Sequence, residues 1–391
     1  MSESLQHIID GIYTSQEKRS NLDYRIGTYR DSTPPLFMER KSHDELIKLV
    51  WEIKTELKKP LSGLYVYQKV IEFLKKAYDD KSVIRRKDVI KILNNLETHK
   101  TSIKVKIYNL DIDKDKLEIN NYSLIRNRLP TLIDGKEQYI PSVVLEIKNI
   151  EICRDDTGQR EIVDDSISIF RNFLLVALGN KQYSQSITNR FIQDSTQYDI
   201  KFYDESGTLC RSRSSTSVTG TFAQSLVTLN CDLFKQYHSD LFSLVSKDRS
   251  EIESKLYKSI IWLGESLSNQ NIGNSFLQIA IALECLLSYQ EQGYFIQPSM
   301  THSLAETAAF LYSTNLNTRK DIFKKIKKYY AKRSSIVHSG QSKVNLHEYY
   351  DFFRIVKTCL YNIIALIQQK NFSEIKEIYN YIENEKFSHG T

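Results

Sequence analysis

Ser275–Tyr289, SFLQIAIALECLLSY, decides the fold of the second half of this 391-residue chain. The run is apolar nearly all round a helical wheel, so it has no side to show water and belongs between other helices. Its single acid is Glu284. On either side of it, apolar residues recur at helical spacing, broken by short polar stretches such as NIGN (Asn271–Asn274) and STNLN (Ser313–Asn317). The spacing predicts helices near 250–269, 273–291, 301–313, 319–337 and 345–369, with a short one near 373–385. Short connections favour antiparallel neighbours, so residues 231–391 are expected to form an all-α helical bundle.

Upstream the pattern changes twice. Residues 1–100 show helical periods with breaks. Ser42–Leu57 repeats Leu46, Leu49, Val50, Ile53 and Leu57 on one face, and Ser42 with Glu45 has the spacing of a capping box. Pro60 ends that stretch, LYVYQKVIEFLKKAY follows, and Pro34-Pro35 marks an extended turn earlier on. Residues 101–230 alternate instead: Ser102–Leu110, Val143–Ile152 and Tyr198–Asp204 predict half-buried strands, with one helix near 166–178. The Ser/Thr-rich segment Ser206–Gly220 is expected to be a loop or ribbon. The expected fold class is therefore α+β and multidomain: an N-terminal helical segment (1–100), a β-containing middle region (101–230) and a C-terminal all-α bundle (231–391).

Composition narrows the function classes. Hydrophobic residues make up 41% and charged residues 26%, as in an ordinary globular protein, and a net charge of +6 is too small to mean nucleic acid by itself. The longest apolar run, Phe173–Leu178, falls far short of the roughly 20 residues of a membrane span. The opening residues lack a basic stretch followed by an apolar one, and five cysteines without CxxC spacing point to reduced thiols. Cytoplasmic residence and no membrane partner are the expectations. Asp111, Asp113 and Asp115 alternate as in a calcium loop but lack its glycine and terminal glutamate. With no nucleotide-binding loop or nucleophile elbow either, no metal or other cofactor is expected.

The chemistry concentrates in Thr318–Gly340, TRKDIFKKIKKYYAKRSSIVHSG. Turned by about 100° per residue, Ile322, Phe323, Ile326, Tyr329, Tyr330, Ile336 and Val337 share one apolar arc. Arg333 lies inside that arc, about 20° from Ile322. Lys320, Lys324, Lys325, Lys327, Lys328 and Lys332 occupy the opposite side. An arginine aimed at a bundle needs an anion, and Glu284 on the central helix is the candidate, whether as a structural tie or as part of a site. His338 stands five residues on, about 140° round the helix. The two side chains meet at one atom only if the helix ends between them or a second copy supplies one of them. Arginine can stabilise charge on phosphoryl oxygens, histidine can move a proton, and lysines attract a phosphate backbone.

Arg333-Ser-Ser-Ile-Val-His338, in the phrase YYAKRSSIVHSG behind IALECLL, resembles the R-x(4–6)-H signature of HEPN domains, in particular the ApeA-like group. The resemblance covers roughly residues 250–370. It implies a helical bundle that dimerises, bringing two R-x(4–6)-H motifs into one composite site at the dimer interface, and that cuts RNA without a metal, the 2′-OH attacking the adjacent phosphate to leave a cyclic phosphate. It implies Arg333 and His338 as catalytic residues with Glu284 and Ser334 in support, beside the lysine face, from which Lys324, Lys327, Lys328 and Lys332 are the expected contacts to RNA. Ser334 stands where active members often carry Asn, Asp or His. The implied partners are RNA, a second copy of the chain or a higher homo-oligomer, and a phage- or host-derived trigger, in a bacterial antiviral defence or toxin setting with tRNA among the targets. The competing expectation is a non-catalytic HEPN module that binds RNA or a protein. Regulation by nucleotidylation of a tyrosine two residues after the histidine is disfavoured, because Gly340 is there.

Overall fold

The structure is a computed structural model and describes residues 6–10, 12–14, 24–26, 36–83, 85–127, 131–133, 136–138, 142–153, 159–186, 196–204, 208–217, 226–245, 248–289, 300–339 and 344–388. In chain order the first elements are α1 (Gln6–Ile9), β1 (Ile12–Thr14), β2 (Tyr24–Ile26), β3 (Leu36–Met38), α2 (Arg40–Glu56), α3 (Gly63–Asp80) and α4 (Arg86–Asn94). The middle of the chain carries β4 (Thr98–Tyr108), β5 (Leu110–Ile112), β6 (Lys116–Ile119), β7 (Tyr122–Asn127), β8 (Thr131–Ile133), β9 (Lys136–Gln138), β10 (Ser142–Cys153), α5 (Gln159–Leu178), α6 (Lys181–Ser186), β11 (Thr196–Tyr203), β12 (Leu209–Ser217) and β13 (Val227–Leu229). Helices complete it: α7 (Cys231–Ser243), α8 (Glu251–Ser268), α9 (Ile272–Leu287), α10 (Met300–Tyr312), α11 (Leu316–Ser339), α12 (Leu346–Lys370) and α13 (Ile375–Ser388). The protein is mostly helical, with sheet in its middle and a helical C-terminal region. Two compact units are drawn from separate segments: Met1–Ile103, Ile147–Ile167 and Phe202–Arg211 in one, Lys104–Glu146, Ser168–Lys201 and Ser212–Thr391 in the other. Residues 231–391 fall wholly in the second, whereas residues 101–230 are divided between the two.

In the first unit Leu46, Leu49, Val50 and Ile53 of α2 are buried with Val66, Val70 and Leu74 of α3, as their periodicity requires. Ser42 and Glu45 do not form a capping box: α2 starts earlier, with Glu39 at its N-cap position and Ser42 buried in the first turn. The side-chain cap belongs to α3, where Ser62 accepts from the Tyr65 amide at 3.0 Å. Glu161 adds an anion at the same helix start, accepting from the Gly63 amide at 2.8 Å and pairing with Lys54. Pro34-Pro35 lies outside the described residues.

Six strands form one sheet in the order β12-β11-β4-β10-β7-β6, with β6 and β7 antiparallel. The strands expected from alternation are β4, β10 and β11, and β4 and β10 bury every second residue over much of their length. The segment expected as a loop or ribbon contains strand β12 at the sheet's end. An edge strand needs only one hydrogen-bonded side, so Ser, Thr and Arg suit it, and its lack of apolar alternation concealed it. The aspartates that mimic a calcium loop have structural partners. Asp111 takes both Nε and Nη2 of Arg126, at 2.9 and 2.8 Å, and Asp113 accepts from the Cys231 amide at 2.9 Å.

In the second unit the six C-terminal helices match the expected spans to within a few residues, except that α9 stops at Leu287. Helix α9 buries Phe276, Ile279, Ala280, Ala282, Leu283, Leu286 and Leu287, against α8 in particular and also against α10, α11 and α12. Capping boxes start both α8 (Ser250 with Glu253) and α12 (Asn345 with Glu348). Lys181 steadies the end of α8, donating to the Ser266 carbonyl at 3.0 Å and to Ser275 Oγ at 2.9 Å. Helices α5 and α8 touch where Gly264 faces Asn172: a Cβ there would lie 2.6 Å from the Asn172 Cα. Helix α7 meets α12 through His238 Nδ1 and the Tyr361 hydroxyl, 2.7 Å apart. Burial, then the nearby Lys357 charge, lowers the His238 pKa to about 4. Among the described residues no helix is long and apolar enough to cross a membrane.

Two outcomes follow from this packing. Gly264→Ala drives its methyl into a backbone atom and should destabilise by about 2 kcal/mol or more, whereas the methyl of Gly63→Ala meets the Glu161 carboxylate at 3.4 Å, an ordinary van der Waals contact, and should be tolerated. Denaturant midpoints of the two variants measure the contrast. His238 stays neutral in the folded state while the unfolded chain takes up a proton from pH 6.5 downward, so stability is lost as pH falls from 6.5 to about 4. His238→Asn should flatten melting temperature against pH across that window.

Candidate active site

Helix α11 is amphipathic in the expected sense. Ile322, Ile326, Tyr329, Tyr330 and Ile336 are buried and Phe323 is half-buried. Val337 departs from the arc: it is 52% exposed, one turn beyond Arg333. Across the connection to α12, Leu346 is 60% exposed as well, so the apolar seam of α11 comes out to solvent at its C-terminal end.

Two acids on α12, Asp351 and Glu348, grip a single flank of α11. Asp351 accepts from the Tyr329 hydroxyl at 2.6 Å and from Arg354 Nη2 at 2.6 Å, with Lys325 Nζ 3.3 Å away. Its burial favours the neutral acid, but the bonds from Tyr329, Arg354 and Lys325 outweigh this and hold the carboxyl below its ordinary pKa. Glu348 likewise pays for partial desolvation with ion pairs to Lys332 and Lys328, the latter at 3.1 Å, and its pKa is also lowered. Lysines 325, 328 and 332 are therefore committed to α12 and do not all face open solvent as the wheel alone implied.

Arg333 reaches across to α9, its Nη2 3.6 Å from Glu284 Oε1. This is the pairing anticipated from the sequence, and it is not sealed: the two side chains keep 36% and 22% of their exposure. Tyr330, which sequence reasoning counted only as core, joins them. Its hydroxyl donates to the Ala280 carbonyl at 3.3 Å, and burial followed by the Glu284 charge raises its pKa far above that of a free phenol. The signal available was its position, three residues before Arg333 on the same arc.

Helix α11 continues unbroken through His338 to Ser339. No helix end separates Arg333 from His338, which stay about 140° apart with a rise of about 7.5 Å between them. His338 and Ser334 are exposed, and His338 has no hydrogen-bond partner among the described residues. Lys324 and Lys327 are exposed too, Lys327 with its ammonium 5.4 Å from the Phe323 ring centroid. Gly340 lies outside the described residues. Among those described, no group of three or more His, Cys, Asp or Glu is placed to hold a metal ion. Comparisons with protein-family models, curated proteins and solved structures found no match to this chain.

Removing the Asp351 carboxylate strands the buried Tyr329 hydroxyl and leaves Lys325 with Asp321 alone. Asp351→Ala should cost roughly 2–3 kcal/mol, the range of a charge-assisted hydrogen bond plus an unsatisfied buried donor. A shift of the denaturation midpoint at neutral pH measures it, and Tyr329→Phe should recover part of the loss.

Proposed function

We propose that the C-terminal helical region is a metal-independent endoribonuclease of the HEPN kind, acting as a homodimer with Arg333 of one copy and His338 of the other at each scissile phosphate. One observation carries this reading. Arg333 is held by Glu284 yet remains accessible, His338 is exposed on the same continuous helix, and their separation round that helix bars both from serving one phosphate within a single copy. The exposed Val337 and Leu346 beside them supply apolar surface for a second copy to cover.

In such a site the guanidinium binds the non-bridging phosphoryl oxygens as charge builds on them. His338 handles the proton, taking it from the ribose 2′-OH or giving it to the departing 5′ oxygen. The O2′–P bond forms as the P–O5′ bond breaks, leaving a 2′,3′-cyclic phosphate and a 5′-hydroxyl. Glu284 fixes the arginine's direction, and exposed Ser334 is a secondary polar contact. The resemblance noted for residues 250–370 implies a defence or toxin setting for such an enzyme, with the remaining residues sensing a trigger or positioning the substrate.

A non-catalytic module for RNA or a protein partner is the second reading. It draws on the Glu348 pairs, which withdraw Lys328 and Lys332 from the four lysines expected to meet RNA. Incubating the full chain with total RNA in EDTA separates the two. The enzyme reading expects cyclic-phosphate ends from wild type and at least a hundredfold loss in His338→Ala, on the scale of a missing general acid or base. Equal inertness of wild type and variant, with growth unaffected by overexpression of either, would favour the binding module.

A further inference from the structure

Taking Lys320 as zero and turning about 100° per residue, Lys324, Lys327, Ala331, Ser334 and His338 all fall within about 40° of it. His338, eighteen residues on, returns to the azimuth of Lys320 after five full turns, about 27 Å along the axis. Every member of this stripe is exposed. Lys325, Lys328 and Lys332 lie to one side, about 80–140° round, and are paired with Asp321, Asp351 or Glu348. Lys320, Lys324 and Lys327 form no ion pair among the described residues. Helix α11 thus divides its lysines into a neutralised flank and an open line, and the open line ends at the imidazole.

We propose that this line, Lys320–Lys324–Lys327 followed by Ala331 and Ser334, is a track along which the phosphodiester backbone of single-stranded RNA approaches His338 of the same copy. The proposal rests on the ribonuclease reading for its destination but not for its binding surface. Lysines four and three residues apart put ammonium groups at about 6 and 4.5 Å intervals along the axis, a row suited to successive phosphates of one flexible strand. Ala331 and Ser334 have short side chains, so a backbone can close on the helix just before the histidine. The stripe is one lysine wide and convex, which fits a single strand better than a duplex. Attack by a 2′-OH also needs a ribose free to bring that oxygen in line with the departing one, which an unpaired strand allows. Arg333, on the far side of α11, meets the strand only as the contribution of the second copy.

Fluorescence anisotropy with a labelled oligouridylate, read over a series of salt concentrations, tests the track on the full chain in a His338→Ala background that blocks turnover. Replacing Lys320, Lys324 and Lys327 together by Gln should weaken binding at least tenfold. It should also lower the salt slope by about 2, the counterion share of three single-strand phosphate contacts. Replacing Lys332 and Glu348 together by Gln, which removes one ion pair whole and leaves the net charge unchanged, should change affinity by less than about twofold. The track is overturned if the triple variant binds like its parent, or if both sets weaken binding alike, as a diffuse basic field would. Tighter binding of a duplex than of the single strand would also overturn it. The failures stay distinguishable: in the wild-type background, RNA cutting whose kcat/KM ignores the triple substitution removes the track and leaves the nuclease. The predicted binding pattern without any cutting keeps the track and removes the nuclease.

Discussion

The seam between α11 and α12 sets the orientation on which the rest of the C-terminal region depends. Asp351 and Glu348, one helical turn apart near the start of α12, take hold of Lys325, Lys328, Tyr329 and Lys332 along one flank of α11. A shielded carboxylate is costly unless its oxygens are filled by donors, and here Tyr329 and the lysines of the facing helix fill them together with Arg354 of α12 itself. Rotating α11 would strand the acids and expose Ile322, Ile326 and Tyr329, so electrostatics and burial select the same azimuth.

Everything chemical about α11 follows from that azimuth. With the flank fixed, Arg333 points to Glu284 on α9, and the opposite line from Lys320 to His338 faces water. Because the helix does not break before Ser339, the arginine and the histidine belong to different sides of one rod. A rod cannot close on a phosphate, but two rods related by a two-fold axis can. In the proposed nuclease, dimerisation is a condition of the chemistry, and the apolar side chains exposed at the end of α11 and the start of α12 are where the contact would form.

Much of the bundle was legible because its signals are local and redundant. Helix α9 has no polar side to offer solvent, and the periods of α8, α10, α11 and α12 are uninterrupted over many turns. The Arg333–Glu284 contact was legible for a related reason, since a charge inside an apolar arc must find an anion and α9 holds only one. What the sequence concealed depends on partners distant along the chain. Nothing within KKIKKYYAK distinguishes Lys327 from Lys328, and only Glu348 arriving from α12 makes one open and the other paired. The start of α2 was misplaced because Ser42 and Glu45 have capping spacing inside a helix that begins earlier. Strand β12 was missed because an edge strand needs no apolar alternation.

The central claim is that each active site takes its arginine from one copy and its histidine from the other. Co-expressing the Arg333→Ala and His338→Ala chains tests it most directly, each chain alone serving as the inactive reference. Mixed dimers hold one intact site and one doubly substituted site, so cleavage should return to about a quarter of wild type, the statistical share for a two-fold assembly. If the mixture is as inactive as its components while mixed dimers are present, the two side chains do not combine across copies, and the account of this site is wrong.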